Sequence, residues 1–148
     1  RATWIEQIPW LADATVAENL RIARPDASDD DLRSALDLVG LGSWLDSSPR
    51  GLDTAVGRGG ASVSGGEAQR IGLARAILAD RGVVVLDEPT AHLDRATGAA
   101  VVAAMLEALS GRSVLMLGHG MLGHDDGADG RGLAFSDGAR AGLRVRMG

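Results

Sequence analysis

The amino-acid sequence predicts an α/β fold built on a mostly parallel sheet with flanking helices, and three features point there. Residues 83–86 (Val-Val-Val-Leu) are a short run of β-favouring residues and 113–117 (Ser-Val-Leu-Met-Leu) a second short, largely apolar run, both of the kind found in strands buried within a parallel sheet. Between them an Ala-rich helical stretch over about residues 97–109 leads through Gly111, long enough to cross back and set the second strand parallel to the first. Upstream, Thr15-x-x-Glu18, Ser28-x-x-Asp31 and Ser64-x-x-Glu67 each stand ahead of apolar residues, a spacing that starts helices because each side chain satisfies the other's free backbone N–H.

Taken in order, residues 3–7 alternate weakly and read as a strand entering a loop. The cap at Thr15 predicts a short helix ending before Pro25. After Ser28, the residues Leu32, Ala35, Leu36 and Val39 share one helical face, and Gly40 sits where such a helix stops. Residues 41–63 are rich in Gly, Ser and Asp, which predicts a loop-dominated stretch with one helical turn around Trp44 and Leu45. Ser64 opens the next helix, whose apolar face is Ile71, Ala74, Ile77 and Leu78, through about Asp80. The strand at 83–86, expected to be buried on both faces, delivers Asp87-Glu88-Pro89 at its carboxyl end. Beyond His119 the chain turns Gly- and Asp-rich, with a last strand over residues 132–136 and a polar tail. There is no internal repeat.

Composition narrows the function classes. At 148 residues, 45% hydrophobic and 24% charged, the chain is the size of one globular domain with enough apolar residues for a core. Its 20 Asp and Glu outnumber 15 basic residues, so it offers no broad positive field for a nucleic-acid backbone. Every basic residue is Arg, and Cys is absent, which excludes a disulfide framework and a thiolate metal site. No targeting signal is evident, and the apolar runs fall short of the ~20 residues that cross a bilayer.

The acidic pair carries the first chemical suggestion. An apolar strand that delivers adjacent carboxylates suits magnesium-dependent phosphoryl transfer, with Asp87 holding the metal directly or through water and Glu88 orienting and deprotonating a water. On its own such a pair is more often a solvated turn.

Together with their neighbours, however, these residues resemble the ATP-binding cassette family of membrane exporters. Val63-Ser64-Gly65-Gly66-Glu67 is similar to its LSGGQ signature, Asp87-Glu88-Pro89-Thr90 to its Walker B end, and Ala91-His92-Leu93-Asp94 to its D-loop. Gln7 occupies the Q-loop position, and His119 follows a strand as the family's switch histidine does. Singly, Ser64-x-x-Glu67 reads as a helix cap, Gln7 as a surface amide and His119 as a strand-end histidine; their coincidence in the family's order is what is specific.

The resemblance implies a P-loop NTPase-like core plus the family's helical subdomain, bound to ATP and Mg2+. Residues 1–148 would form a partial ATPase domain, with the helical subdomain and signature helix over about residues 8–80 and the C-terminal part of the core over 81–148. Glu88 and His119 would be catalytic, Asp87 and Gln7 would attend the metal, and Gln7 again with Ser64, Gly65, Gly66, Glu67 and Asp94 would serve the nucleotide and the domain pair. In the family the signature faces the γ-phosphate held by a second ATPase domain, so the implied partners are that domain, in a homo- or heterodimer, and a transmembrane exporter domain at the cytoplasmic face of the membrane. A helix start with two glycines suits the task, since its free N–H groups and partial positive charge meet an anion without a Cβ in the way.

Several positions depart from the family pattern. Glu67 stands for the usual Gln, Gly120 follows His119 where a larger residue is common, and His124 is a rival for the switch position. Residues 54–60, Thr-Ala-Val-Gly-Arg-Gly-Gly, resemble the exporters' X-loop TxVGExG with Arg58 for Glu. Residues 23–60 also resemble the thiol-exporting subunits of cytochrome bd assembly. The phosphate-binding loop, G-x-x-x-x-G-K-[ST], requires a Lys that the sequence lacks. With Arg1 opening directly into a strand-like segment, the chain is expected to be a fragment lacking that loop, and inactive alone. Two other readings stay open: a soluble cassette ATPase, against which the lack of coiled-coil insertions and basic surfaces counts, and a non-catalytic module that completes a partner's site, against which the intact Glu88 counts.

Overall fold

Strand β4 (Val83–Asp87) lies at the centre of a three-stranded parallel sheet, between β1 (Ala2–Ile5) and β5 (Ser113–Leu117). The computed structural model describes residues 2–5, 9–57, 63–79, 81–91, 93–117, 136–137 and 140–141. Register runs from Ala2 opposite Val83 to Ile5 opposite Leu86, and from Val83 opposite Ser113 to Asp87 opposite Leu117. The parallel pairing of β4 and β5 follows the expectation from the intervening helix. Their burial does not follow it fully: Val84 and Leu86 are buried, whereas Val85 is half-buried and Val83 is 40% exposed. One face of β4 is thus covered, and the other only in part.

The helices begin where their caps predict. Thr15, Ser28 and Ser64 each accept from the N–H three residues on, and Glu18, Asp31 and Glu67 return the bond to the cap N–H, opening α1 (Val16–Arg21), α2 (Asp29–Leu38) and α4 (Gly65–Leu78). Gly40, at φ 73°, adopts the left-handed turn just past α2 that a side chain would resist. Within residues 41–63 the structure has more order than a loop: α3 (Gly42–Ser47), a 3-10 turn at Gly51–Asp53, and β3 (Ala55–Val56) paired antiparallel with β2 (Ala14–Thr15). Helix α5 (Arg95–Ala108) starts two residues earlier than the apolar pattern indicated, because Asp94 caps it. The expected strand at 132–136 falls almost wholly outside the described residues; a short antiparallel pair, β6 (Ser136–Asp137) and β7 (Arg140–Ala141), lies there.

The core places α4 against the sheet side and the smaller helices against α4. Val16, Leu20, Leu32, Leu36, Val39, Leu41 and Ile71 are fully buried, each such side chain contributing roughly 1.5–3 kcal/mol over an exposed one. Helix α2 packs on both α4 and α5, α1 packs on α4, and α4 reaches β1. The far end of α4 is closed by Arg112, just before β5, whose guanidinium donates to the carbonyls of Ala76, Ile77 and Ala79 (2.5 Å for the last). A cation on carbonyls at a helix C-terminus is favourable. No helix among the described residues is long and apolar enough to cross a membrane.

Candidate functional site

The acidic pair sits at the carboxyl end of the central strand, where Asp87 closes β4 and Glu88 leaves it; both are half-buried. Glu88 has φ 44°, and it is the only non-glycine residue with positive φ among those described. The left-handed region costs an L-residue about 1–2 kcal/mol, and such a conformation persists only where its surroundings over-determine it. Here they do. The Glu88 N–H donates to the Leu117 carbonyl on β5 (2.7 Å), and the Glu88 carbonyl accepts from Ala91 N (3.0 Å) and from the Gln69 side-chain Nε2 (2.7 Å).

The segment after Glu88 is held by its own turns and by α5. Leu93 N donates to the Thr90 carbonyl at 3.0 Å, and Asp94 Oδ1 accepts from Ala96 N and Thr97 N at 3.1 and 3.0 Å. Hydrogen bonds from the Thr97 side chain first, then from backbone N–H groups, hold the Asp94 carboxyl below its ordinary pKa. Gly98 lets α5 lie close: a methyl at its α-carbon would stand 3.2 Å from Thr90 Cβ and Cγ2. Asp94 is thus first a helix cap, a role additional to the one its resemblance implies.

At the other motif, α4 begins with Ser64 and Gly65 exposed and Gly66 and Glu67 half-buried. The Glu67 carboxylate turns back onto Ser64 N at 2.7 Å, and Ser64 Oγ accepts from Glu67 N at 3.1 Å. That geometry accounts for Glu in place of Gln, since the box needs only an acceptor oxygen at this position. In the boxes of Thr15 and Ser28 the hydroxyl also donates to the paired carboxylate, at 3.0 and 2.9 Å. Among the described residues the Ser64 hydroxyl makes no such bond, and it stands beside the N–H groups of the first turn.

Two polar residues that periodicity passed over bind these parts together. Gln69 is fully buried, and its bond to Glu88 fastens α4 to the end of β4. Asn19, also fully buried, accepts from Ala12 N (2.8 Å) and Arg75 Nη2 (2.5 Å) and donates to the carbonyls of Ala12 and Thr15 (3.1 and 2.9 Å). Arg75 further donates to the carbonyls of Asn19 (2.8 Å) and Trp10 (2.7 Å), so α4 also grips residues 10–19. Burial lowers the Arg75 pKa. A signal for both was present: Gln69 shares a helical face with Leu73 and Ala76, and Asn19 with Val16, so each is a polar residue on an apolar stripe.

Of the sequence-predicted site residues, Asp87 and Glu88 stand together, Ser64 to Glu67 form the first turn of α4, and Asp94 caps α5. Gln7, His119 and its rival His124 lie outside the described residues, as do His92 and Arg58 to Gly60 of the X-loop-like stretch. The two adjacent carboxylates are oxygen donors, and no cluster of three or more metal-ligating side chains occurs among the described residues. That donor set fits magnesium, which binds one or two carboxylates and completes its shell with phosphate oxygens and water.

The ABC transporter family model matches residues 1–91. The mitochondrial potassium channel ATP-binding subunit of Xenopus tropicalis is 40% identical over 116 residues, which are 78% of this chain and 17% of that protein. The glutathione/L-cysteine transport system ATP-binding/permease protein CydC of Bacillus subtilis is also 40% identical over 116 residues, 78% of this chain and 20% of its own length. A solved bacterial Atm1-family ABC exporter with ATP bound matches with a TM-score of 0.77 and 26% identity, over 97% of this chain and 25% of that one. The chain therefore spans about a fifth of the length of these curated relatives.

Proposed function

The chain belongs to the ABC transporter family, and from that membership we propose that it supplies the signature and catalytic segments of an exporter's ATP-hydrolysing domain. The observation that carries the reading is the acidic pair at the end of β4, with the Glu88 backbone fixed from three sides. Glu88 accepts a proton from the water that attacks the γ-phosphate, and Asp87 holds magnesium directly or through water. Magnesium at that position supplies charge neutralisation to the phosphates. His119 hydrogen-bonds the γ-phosphate, and Gln7 attends the metal and links the site to the membrane part.

The first turn of α4 serves a different nucleotide. Its free N–H groups, the Ser64 hydroxyl and the open glycines Gly65 and Gly66 receive the γ-phosphate of ATP bound to a second ATPase domain, while Glu67 keeps the turn capped. Asp94 shapes the contact between the two domains from the start of α5. Residues 8–80 act as the helical subdomain with its signature helix, and 81–148 as the C-terminal part of the core. The Lys-bearing phosphate loop comes from outside these residues, so this chain alone does not hydrolyse ATP.

The transmembrane exporter domain is the second partner, at the cytoplasmic face of the membrane. The solved neighbour is an exporter, and the X-loop-like residues 54–60 favour the same direction. A thiol exporter is the subfamily suggested by residues 23–60 and by the name of the Bacillus subtilis relative. The reading is tested with Ser64→Arg in the complete transporter: ATP still binds, but ATP-driven pairing of the domains and turnover are lost, because the side chain fills the phosphate approach. Wild-type turnover in that variant would contradict it.

A further inference from the structure

Gln69 takes no part in the chemistry described so far, yet it is a fully buried amide that shares its helical face with the buried Leu73 and Ala76. A buried amide is unfavourable unless hydrogen-bonded, and a Leu or Met would fill the same space without that requirement. What the amide does here is reach 2.7 Å from Nε2 to the carbonyl oxygen of Glu88. The other holders of that backbone, Leu117 and Ala91, belong to the sheet and to the turn itself. Gln69 alone among these three comes from α4, the helix whose first turn is Ser64 to Glu67.

We propose that Gln69 is a positioning residue for hydrolysis: by fixing the peptide of Glu88 in its left-handed conformation, it aims the carboxylate and makes that aim depend on where α4 sits. Gln69 is five residues from Ser64, about one and a half helical turns, so a shift of the signature end carries Gln69 with it as one rigid piece. The Glu88 carbonyl then follows. The signature turn that receives one nucleotide is in this way tied to the carboxylate that serves the other. The inference rests on the reading of Glu88 as the base and of Ser64 to Glu67 as the partner-facing turn.

The test is carried out in the complete transporter with Gln69→Leu and Gln69→Met, both of which fill the site and remove the donor. The expected result is a kcat for ATP hydrolysis lower by on the order of ten- to a hundredfold, since a small displacement of a catalytic group costs that much. KM for ATP stays near wild type, and the ATP-driven domain pair still forms and outlives that of wild type. Unchanged kcat in both variants would overturn the proposal. So would a fall in kcat accompanied by loss of the ATP-driven pair, or failure of both variants to fold, because either assigns Gln69 to holding α4 together. Glu88→Gln separates the two readings: if it retains turnover, the base assignment fails, and if it loses turnover while Gln69→Leu and Gln69→Met keep theirs, the positioning role alone fails.

Discussion

Replacing Glu88 by Ala and by Gly in the same ATPase domain isolates the conformation of one residue. Both changes remove the carboxylate, so charge, solvation and metal effects cancel in the comparison. At an ordinary position Gly is the less stable of the two by roughly 0.5–1 kcal/mol, because it loses more backbone freedom on folding. At φ 44° the Ala Cβ crowds its own peptide at a cost of about 1–2 kcal/mol, which Gly does not incur. Setting one against the other cancels or reverses the usual order, leaving Gly ahead by about 0–1.5 kcal/mol, centred on about 0.75 kcal/mol. In a domain of 150–250 residues the central value is about 1.5–3 °C in Tm. Melts of the two variants without nucleotide measure it, since bound ATP would add its own stabilisation. An Ala variant more stable than the Gly variant by the ordinary margin of about 0.5–1 kcal/mol would mean that residue 88 does not hold the left-handed conformation, and the account of its three-sided clamp would go with it.

Other consequences follow from the same contacts. Asn19→Leu strands Ala12 N and one Arg75 donor and takes one bond each from the carbonyls of Ala12, which keeps its bond from Ala14 N, and Thr15, and should cost about 3 kcal/mol in urea unfolding; no measurable loss would show that water takes over those bonds. The Asp94 carboxyl, held below its ordinary pKa by its Thr97 bonds, contributes stability present above the unfolded value and lost as pH falls through the folded one. Asp94→Asn still caps α5 and should flatten part of the acid-induced loss, with Glu18 and Asp31, lowered by their own caps, supplying the remainder; parallel acid profiles would count against it. The chain alone should bind ATP weakly in a calorimetric titration, because no Lys-bearing phosphate loop is present, and should bind ANS through the half-covered sheet around Val83 and Val85. Tight binding of ATP with a sharp cooperative melt would refute both parts.

How much of this was legible in the sequence depended on the range of the interaction. The capping boxes at Thr15, Ser28 and Ser64 are three-residue signals, and the helices begin at each. Strands β4 and β5 announced themselves because parallel-sheet strands are short and apolar, β4 with three successive valines. The two-residue pair β2 and β3 carries no period at all; it forms because Val16 N reaches the Thr54 carbonyl and Gly57 lies against Ala12 and Asp13. Local reasoning would also misplace Glu88, since a residue before proline favours extended backbone, whereas the bonds from Leu117 and Gln69 impose φ 44°. The chemistry of the candidate site was therefore readable from residue types and order. Its fastening was not, because Gln69 and Glu88 are 19 residues apart and meet only through the tertiary fold.

The central claim is that Glu88 is the base of an ATPase whose signature turn completes a partner's site. It is tested most directly by Glu88→Gln in the complete protein, with turnover and size-exclusion profile read on the same sample. An amide fills the same space but does not take the water's proton, so hydrolysis should fall by on the order of 10² to 10⁴ in rate, while ATP still binds and the domains elute as a stable ATP-dependent pair. Near wild-type turnover would remove Glu88 from the base role, and a variant that bound ATP yet stayed monomeric would contradict the cross-domain contact at Ser64 and Gly66.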